Sequence, residues 1–216
     1  MIAARAFALL LVLAGPLSAE PLSDMIFAPV EISAAAPADA LRYHHRLAMP
    51  QTGEAAAAPL DSTDILTLRA EPRGDTVRLV LERELDGKTT PISEFAEVSA
   101  HPILIYFLES TVRHMTEVTG GSPYYIRNRM REVLGAAELG SPGPVTVGAL
   151  TVQGYDVVMT PFAQDKMRDR MGEFAQLTLH FVVAPGHPAR LLHLSADTIA
   201  SGGGYHESMI VMQEGE

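Results

Sequence analysis

The chain has 216 residues, no cysteine, no tryptophan, and 26 acidic against 16 basic side chains, for a net charge of −10. That composition excludes disulfide bracing, thiol nucleophiles and lipid attachment at a cysteine, and it leaves nucleic acid binding to a local patch acting against the global field. The length is that of one domain able to bury a core without covalent or metal staples.

Residues 1–19 read as a secretory signal peptide. Arg5 precedes an apolar run from Ala6 to Ala14, and Gly15-Pro16-Leu17-Ser18-Ala19 offers a small residue before Glu20. The run is too short to span a bilayer as a helix. Cleavage near Ala19 is expected, leaving a periplasmic or secreted protein with no stable membrane insertion. Residues 20–40, rich in Ala and Pro, read as an N-terminal arm whose apolar island Met25-Ile26-Phe27 can clip onto the body of a single domain, 41–216.

From Leu41 the pattern alternates, with Leu41, Tyr43, His45 and Leu47 on one side and Arg42, His44 and Arg46 on the other, as in a half-buried strand. Met49 to Thr63 has neither helical nor strand period and reads as a loop. Ile65 to Glu71 and Thr76 to Arg83 then form a hairpin. With Arg73-Gly74 as its turn, Ala70 faces Val77, Leu68 faces Leu79, Leu66 faces Leu81, and Arg69 lies opposite Arg78 on the outer face. A fourth strand is expected over Thr90 to Val98.

Residues 100–138 form a helical insertion. Ser99 is the expected cap of a first helix that tolerates Pro102 early and carries Leu104, Phe107, Leu108, Thr111, Met115 and Val118 at helical spacing. Gly120-Gly121 ends it. Ser122-Pro123 opens a second helix to about Ala137, with Ile126, Met130, Val133, Leu134 and Ala137 on its apolar face. Strands return over Leu150 to Val152 and Tyr155 to Thr160, about a turn at Gln153-Gly154, and Phe162 to Phe174 suggests a short crossing helix. Leu177 to Ala184, Arg190 to Thr198 and Tyr205 to Met212 then make an antiparallel meander. The fold class is α+β: a curved antiparallel sheet of about 8–9 strands with a two-helix insertion packed on one face.

Three groups of residues are candidates for function. Pairing Leu179 with Leu194 and Phe181 with Leu192, through a Gly186-His187 turn, sets His180 opposite His193, and His44, His206 or Asp197 would complete a zinc or copper site; the alternative is a polar pair on a solvated face. His193, Ser195 and Asp197 read H-x-S-x-D, but residues two apart on a strand stand too far apart for a direct contact between short side chains. His206-Glu207 is read as edge polarity. No nucleophile elbow, zinc-protease motif or phosphate loop is present, so no catalytic residue is assigned. Arg127 and Arg131, at i and i+4 after Tyr124, form a fork suited to a phosphate or carboxylate, or simply a solvated basic face. Met130, Met167 and Met171 line either an adaptable apolar cavity or a packed core.

The stretch His101-Pro102-Ile103-Leu104, Phe107-Leu108-Glu109 and Gly120-Gly121-Ser122-Pro123-Tyr124-Tyr125-Ile126-Arg127-Asn128-Arg129 resembles a signature of uncharacterised exported bacterial proteins. The inferred architecture is similar to that of periplasmic lipoprotein carriers of the LolA type, which implies a curved sheet closed by helices around acyl chains. The expectation is a non-enzymatic periplasmic binding, carrier or envelope-associated protein for an apolar, amphipathic or lipid-like ligand, with no nucleic acid partner. The alternatives are a histidine-based metal-binding protein or metal-dependent enzyme, and a structural protein of the envelope that pairs with a protein partner through an exposed edge strand.

Overall fold

Alternating side chains decide the layers, and the computed structural model, which describes residues 21–33, 40–49, 60–95, 100–198 and 204–213, shows how they assemble. The strands are β1 (Leu41–Met49), β2 (Leu60–Arg73), β3 (Thr76–Leu85), β4 (Lys88–Phe95), β5 (Gly143–Val147), β6 (Leu150–Met159), β7 (Thr178–Val183), β8 (Leu191–Asp197) and β9 (His206–Val211). They form one curved antiparallel sheet, not closed into a barrel, in the order β4-β3-β2-β1-β9-β8-β7-β6-β5. The chain runs outward from β1 to one edge and crosses to the other through α2 (Pro102–Thr119) and α3 (Pro123–Ala136). It then returns strand by strand until β9 meets β1 at the centre. First and last strands therefore share one site.

The inner face carries Tyr43, Leu66, Leu68, Leu81, Phe181, Leu194 and Met209, all fully buried with Ile103, Leu104 and Phe107 of α2. Phe107 meets Phe181 edge to face at 5.9 Å, the geometry aromatic pairs prefer. The apolar island does clip onto this core: in α1 (Leu22–Ile26), Leu22 and Ile26 are fully buried, and the Leu22 N–H donates to the Ala137 carbonyl. No helix among the described residues is long and apolar enough to cross a membrane.

Several local readings are corrected. The first hairpin turns at Gly74-Asp75, so Leu68 pairs with Leu81 and Ala70 with Leu79. Gly74, at φ +60°, takes the positive-φ position that a type II′ turn requires. This shift of two residues preserves the faces but replaces the expected Arg69–Arg78 repulsion with ion pairs of Arg69 to Glu82 and Arg78 to Glu71. β2 begins at Leu60, inside the expected loop, and the fourth strand is Lys88–Phe95; Val98 and Ser99 lie outside the described residues. The α2 cap position belongs to His101, whose Nε2–H donates to the Ala189 carbonyl at 3.0 Å. Ser122 does cap α3, accepting from the Tyr125 N–H.

Gln153-Gly154 is not a turn. It lies within β6, which pairs with the unanticipated β5. A Cβ on Gly154 would stand 2.5 Å from the Val183 carbonyl oxygen, so glycine here permits close backbone approach. The Phe162–Phe174 segment is a run of turns followed by 3-10 turns at Arg168–Arg170 and Gly172–Gln176, not an α-helix. In the last meander, Phe181 pairs with Leu194 and His180 with Ser195, and the expected Gly186-His187 turn is part of a longer loop closed by the Ala184 N–H on the Arg190 carbonyl.

Candidate functional site

Two helices joined through Gly120-Gly121-Ser122 leave a corner, and the segment after β6 closes against it. Asp165 holds that segment in place. Its carboxylate, nearly buried, accepts from the Tyr125 hydroxyl at 2.8 Å, the Arg129 Nε–H at 2.7 Å and the Met167 N–H at 2.7 Å. Burial acts to raise the Asp165 pKa, but these donors overcome it and hold the carboxyl below its ordinary range. The anchored loop and the corner enclose a groove of about 390 Å³, lined by Met115, Tyr125, Ile126, Met167 and Met171, with Lys166 and Arg170 among the lining residues. Methionine is the side chain best able to fit varied apolar shapes.

Met167 and Met171 thus sit where a ligand has room. The other residues of that candidate set do not join them. Met130 is packed in the core, Tyr124 is 71 % exposed, and Arg131 is exposed on α3; none lines the groove. Arg127 does not fork with Arg131. It makes a bidentate pair with Glu109 of α2 at 2.6 and 2.7 Å, which ties the two helices together. Arg129 bridges Glu132 and Asp165.

A second polar assembly is sealed between α2 and the central strands. His45 follows Leu41 and Tyr43 on the apolar side of β1 and is 2 % exposed. Its Nδ1–H donates to Asp64 at 2.9 Å and its Nε2–H to Glu207 at 3.2 Å. Asp64 also faces Arg83 Nε at 3.3 Å, Arg83 donates to the Tyr106 hydroxyl, and the Tyr205 hydroxyl donates to Glu207. Burial alone would lower the His45 pKa, but its hydrogen bonds to Asp64 and Glu207 and their charges push it up to about 9. His45 is therefore an imidazolium, and with Arg83 it balances the two carboxylates. His101 shows the opposite outcome: buried without a carboxylate, it is lowered to about 4 and stays neutral.

The four candidate metal histidines all lie on the outer sheet face, where His44, His193 and His206 line one open groove without converging on a point. His180 and His193 are neighbours, ring centroids 5.2 Å apart, with His180 Nε2–H donating to Asp156 at 2.7 Å. His193 and His44 flank Ile210 from opposite sides. His206 stands four residues from Ile210 along β9, about 13 Å away at strand rise. Among the described residues no group of three or more His, Asp or Glu side chains is placed to hold a metal ion. Residues two apart on a strand, expected to stand too far apart for contact, do meet here: Ser195 donates to Asp197 at 2.8 Å, and His206 Nε2 lies 3.1 Å from Ser208 Oγ.

Comparison with protein-family models and with curated proteins finds no match for this chain. Sequence reading missed Asp165, Lys166 and Arg170, although Lys166-Met167 and Arg170-Met171 repeat a cation beside a methionine four residues apart. It also left His45 without a partner, although its place on an apolar strand face demands one.

Proposed function

We propose that this chain is an exported binding protein that holds an anionic amphiphile, with no reaction at that site, in the groove at the α2–α3 corner. The observation that carries this reading is the pairing of a methionine-rich lining with Lys166 and Arg170 in one groove of about 390 Å³, within the roughly 300–1,000 Å³ of small-molecule sites. Met115, Met167 and Met171 receive the apolar part, and the two exposed cations receive a phosphate or carboxylate head. Export is supported by the apolar run and small-residue exit of residues 1–19. A carrier needs no reaction at its site, only an apolar lining and a charged rim.

The test is native mass spectrometry and calorimetry with dodecyl phosphate and, as control, an uncharged dodecyl glycoside. One dodecyl phosphate per chain is expected, with the glycoside bound at least tenfold more weakly and the preference lost in the Lys166→Glu/Arg170→Glu double variant. Absence of a dodecyl phosphate complex, or undiminished binding by the double variant, overturns the reading.

A further inference from the structure

The outer face of the sheet, opposite the helices, carries a second groove of about 520 Å³ lined by Arg46, Thr63, Ser195, Asp197, His206 and Ser208 as well as His44 and His193. Within it, Asp197 Oδ1 accepts from His206 Nδ1–H, and Ser208 Oγ lies 3.1 Å from His206 Nε2. A carboxylate only accepts, so it fixes the ring proton on Nδ1 and leaves Nε2 to take the Ser208 proton. We infer that Ser208, His206 and Asp197 form a nucleophile–base–orienter triad acting on carboxylic esters that reach this open face.

Such a triad is recognised by connectivity and roles rather than by chain order. Here two antiparallel strands supply it. Asp197 and His206 are direct partners across β8 and β9, and Ser208 follows His206 on the same face of β9. Ser195 donates to the second Asp197 oxygen at 2.8 Å, which fixes the carboxylate plane. Arg46 is the direct partner of Ser208 across β9 and β1 and lines the same groove; Asp61 holds its guanidinium bidentately at 3.1 and 3.0 Å, so it would have to turn from Asp61 to meet an oxyanion. In the reaction Ser208 Oγ bonds to the ester carbonyl carbon as its proton passes to His206 Nε2. The carbon–oxygen bond to the alcohol then breaks, and the alcohol leaves with that proton. Water, deprotonated by His206 Nε2, attacks the acyl carbon and releases Ser208 with its proton restored. Ser208 and His206 are the catalytic residues, and Asp197 is a positioning residue.

The test is reaction of the full chain with a fluorophosphonate probe, read by intact mass and by peptide mapping, beside hydrolysis of p-nitrophenyl acetate. One adduct is expected, on Ser208, in native but not heat-denatured protein. His206→Ala is expected to slow labelling and hydrolysis about 100-fold or more. Asp197→Asn, which favours the wrong ring tautomer, slows both by about 100-fold or more, and Asp197→Glu restores most of the loss. No adduct on the native chain, an adduct mapped elsewhere, or wild-type rates in folded His206→Ala would overturn the inference. Mapping on the unmutated protein keeps the test decisive if a variant does not fold.

Discussion

The same helix, α2, covers two regions that invert the usual order of inside and outside. Around His45 it seals charges, and at its other end Met115 and Thr119 open onto a groove lined by methionines. The sealed charges persist because opposite charges offset one another: His45 and Arg83 balance Asp64 and Glu207, the Tyr205 hydroxyl satisfies the remaining Glu207 oxygen, and Arg83 Nε, 3.3 Å from Asp64, is the one buried atom of the set that lacks a hydrogen bond. A buried ion removed from such a set leaves the rest uncompensated. The groove lacks that closure: half-buried Met167 borders open space beside exposed Lys166 and Arg170, over a floor formed by the buried Met115, Ile126 and Met171. Balanced buried charge marks a structural element, and incomplete packing marks a place for a ligand.

The sharpest way to break the contrast is His45→Ala, which leaves two buried carboxylates facing each other. It is expected to cost about 3–5 kcal/mol in urea unfolding while leaving dodecyl phosphate affinity in the surviving folded fraction unchanged. Next comes pH. The folded pKa of His45, about 9, lies above its ordinary value, so its contribution is complete below about pH 6.5 and is lost as pH rises to 9, a decline of roughly 3 kcal/mol. Unfolding midpoints measured across that range should fall in the wild type and flatten in a His45→Gln variant. On the acid side, His101 is lowered to about 4, so its stabilising effect fades as pH falls from about 6.5 towards 4.

Asp165→Asn sharpens the other side of the comparison. It weakens charge-assisted bonds to Arg129, Tyr125 and the Met167 amide, with an expected loss of about 1.5–3 kcal/mol and, because the groove floor loosens, a tenfold fall in dodecyl phosphate affinity. The smallest stability effect belongs to Met167→Ser. Met167 is only half-buried, so unfolding should shift by about 1 kcal/mol or less while calorimetry shows ligand affinity falling severalfold.

In the hairpin and the last meander, the side each residue faces was legible in the sequence, because a register error of two residues conserves the faces. The register itself was not. Arg73-Gly74 and Gly74-Asp75 are both acceptable turns, and the choice falls to cross-strand charge: the observed one seats Arg78 opposite Glu71. The spacing of Met167, Met171 and Phe174 fits an α-helix, but the Asp165 side chain captures the Met167 N–H and Gly172 takes φ +54°, so the segment closes as short turns. Gly154 looked like a turn because its reason for being glycine, the Val183 carbonyl, is a strand-to-strand contact. The groove depends on Asp165 reaching α3 at Arg129, 36 positions away in sequence, a contact that no local pattern encodes. His45 was the legible part of the sealed network, and Glu207 became its partner only because the first and last strands meet.

Methionine methyl NMR on the full chain, titrated with dodecyl phosphate, addresses the ligand site most directly. Saturable shifts confined to Met115, Met167 and Met171 are the predicted result, with the Met25, Met159 and Met209 resonances still. Shifts at those core methyls instead, or no shift at the groove methyls at saturating ligand, would contradict binding at the α2–α3 corner.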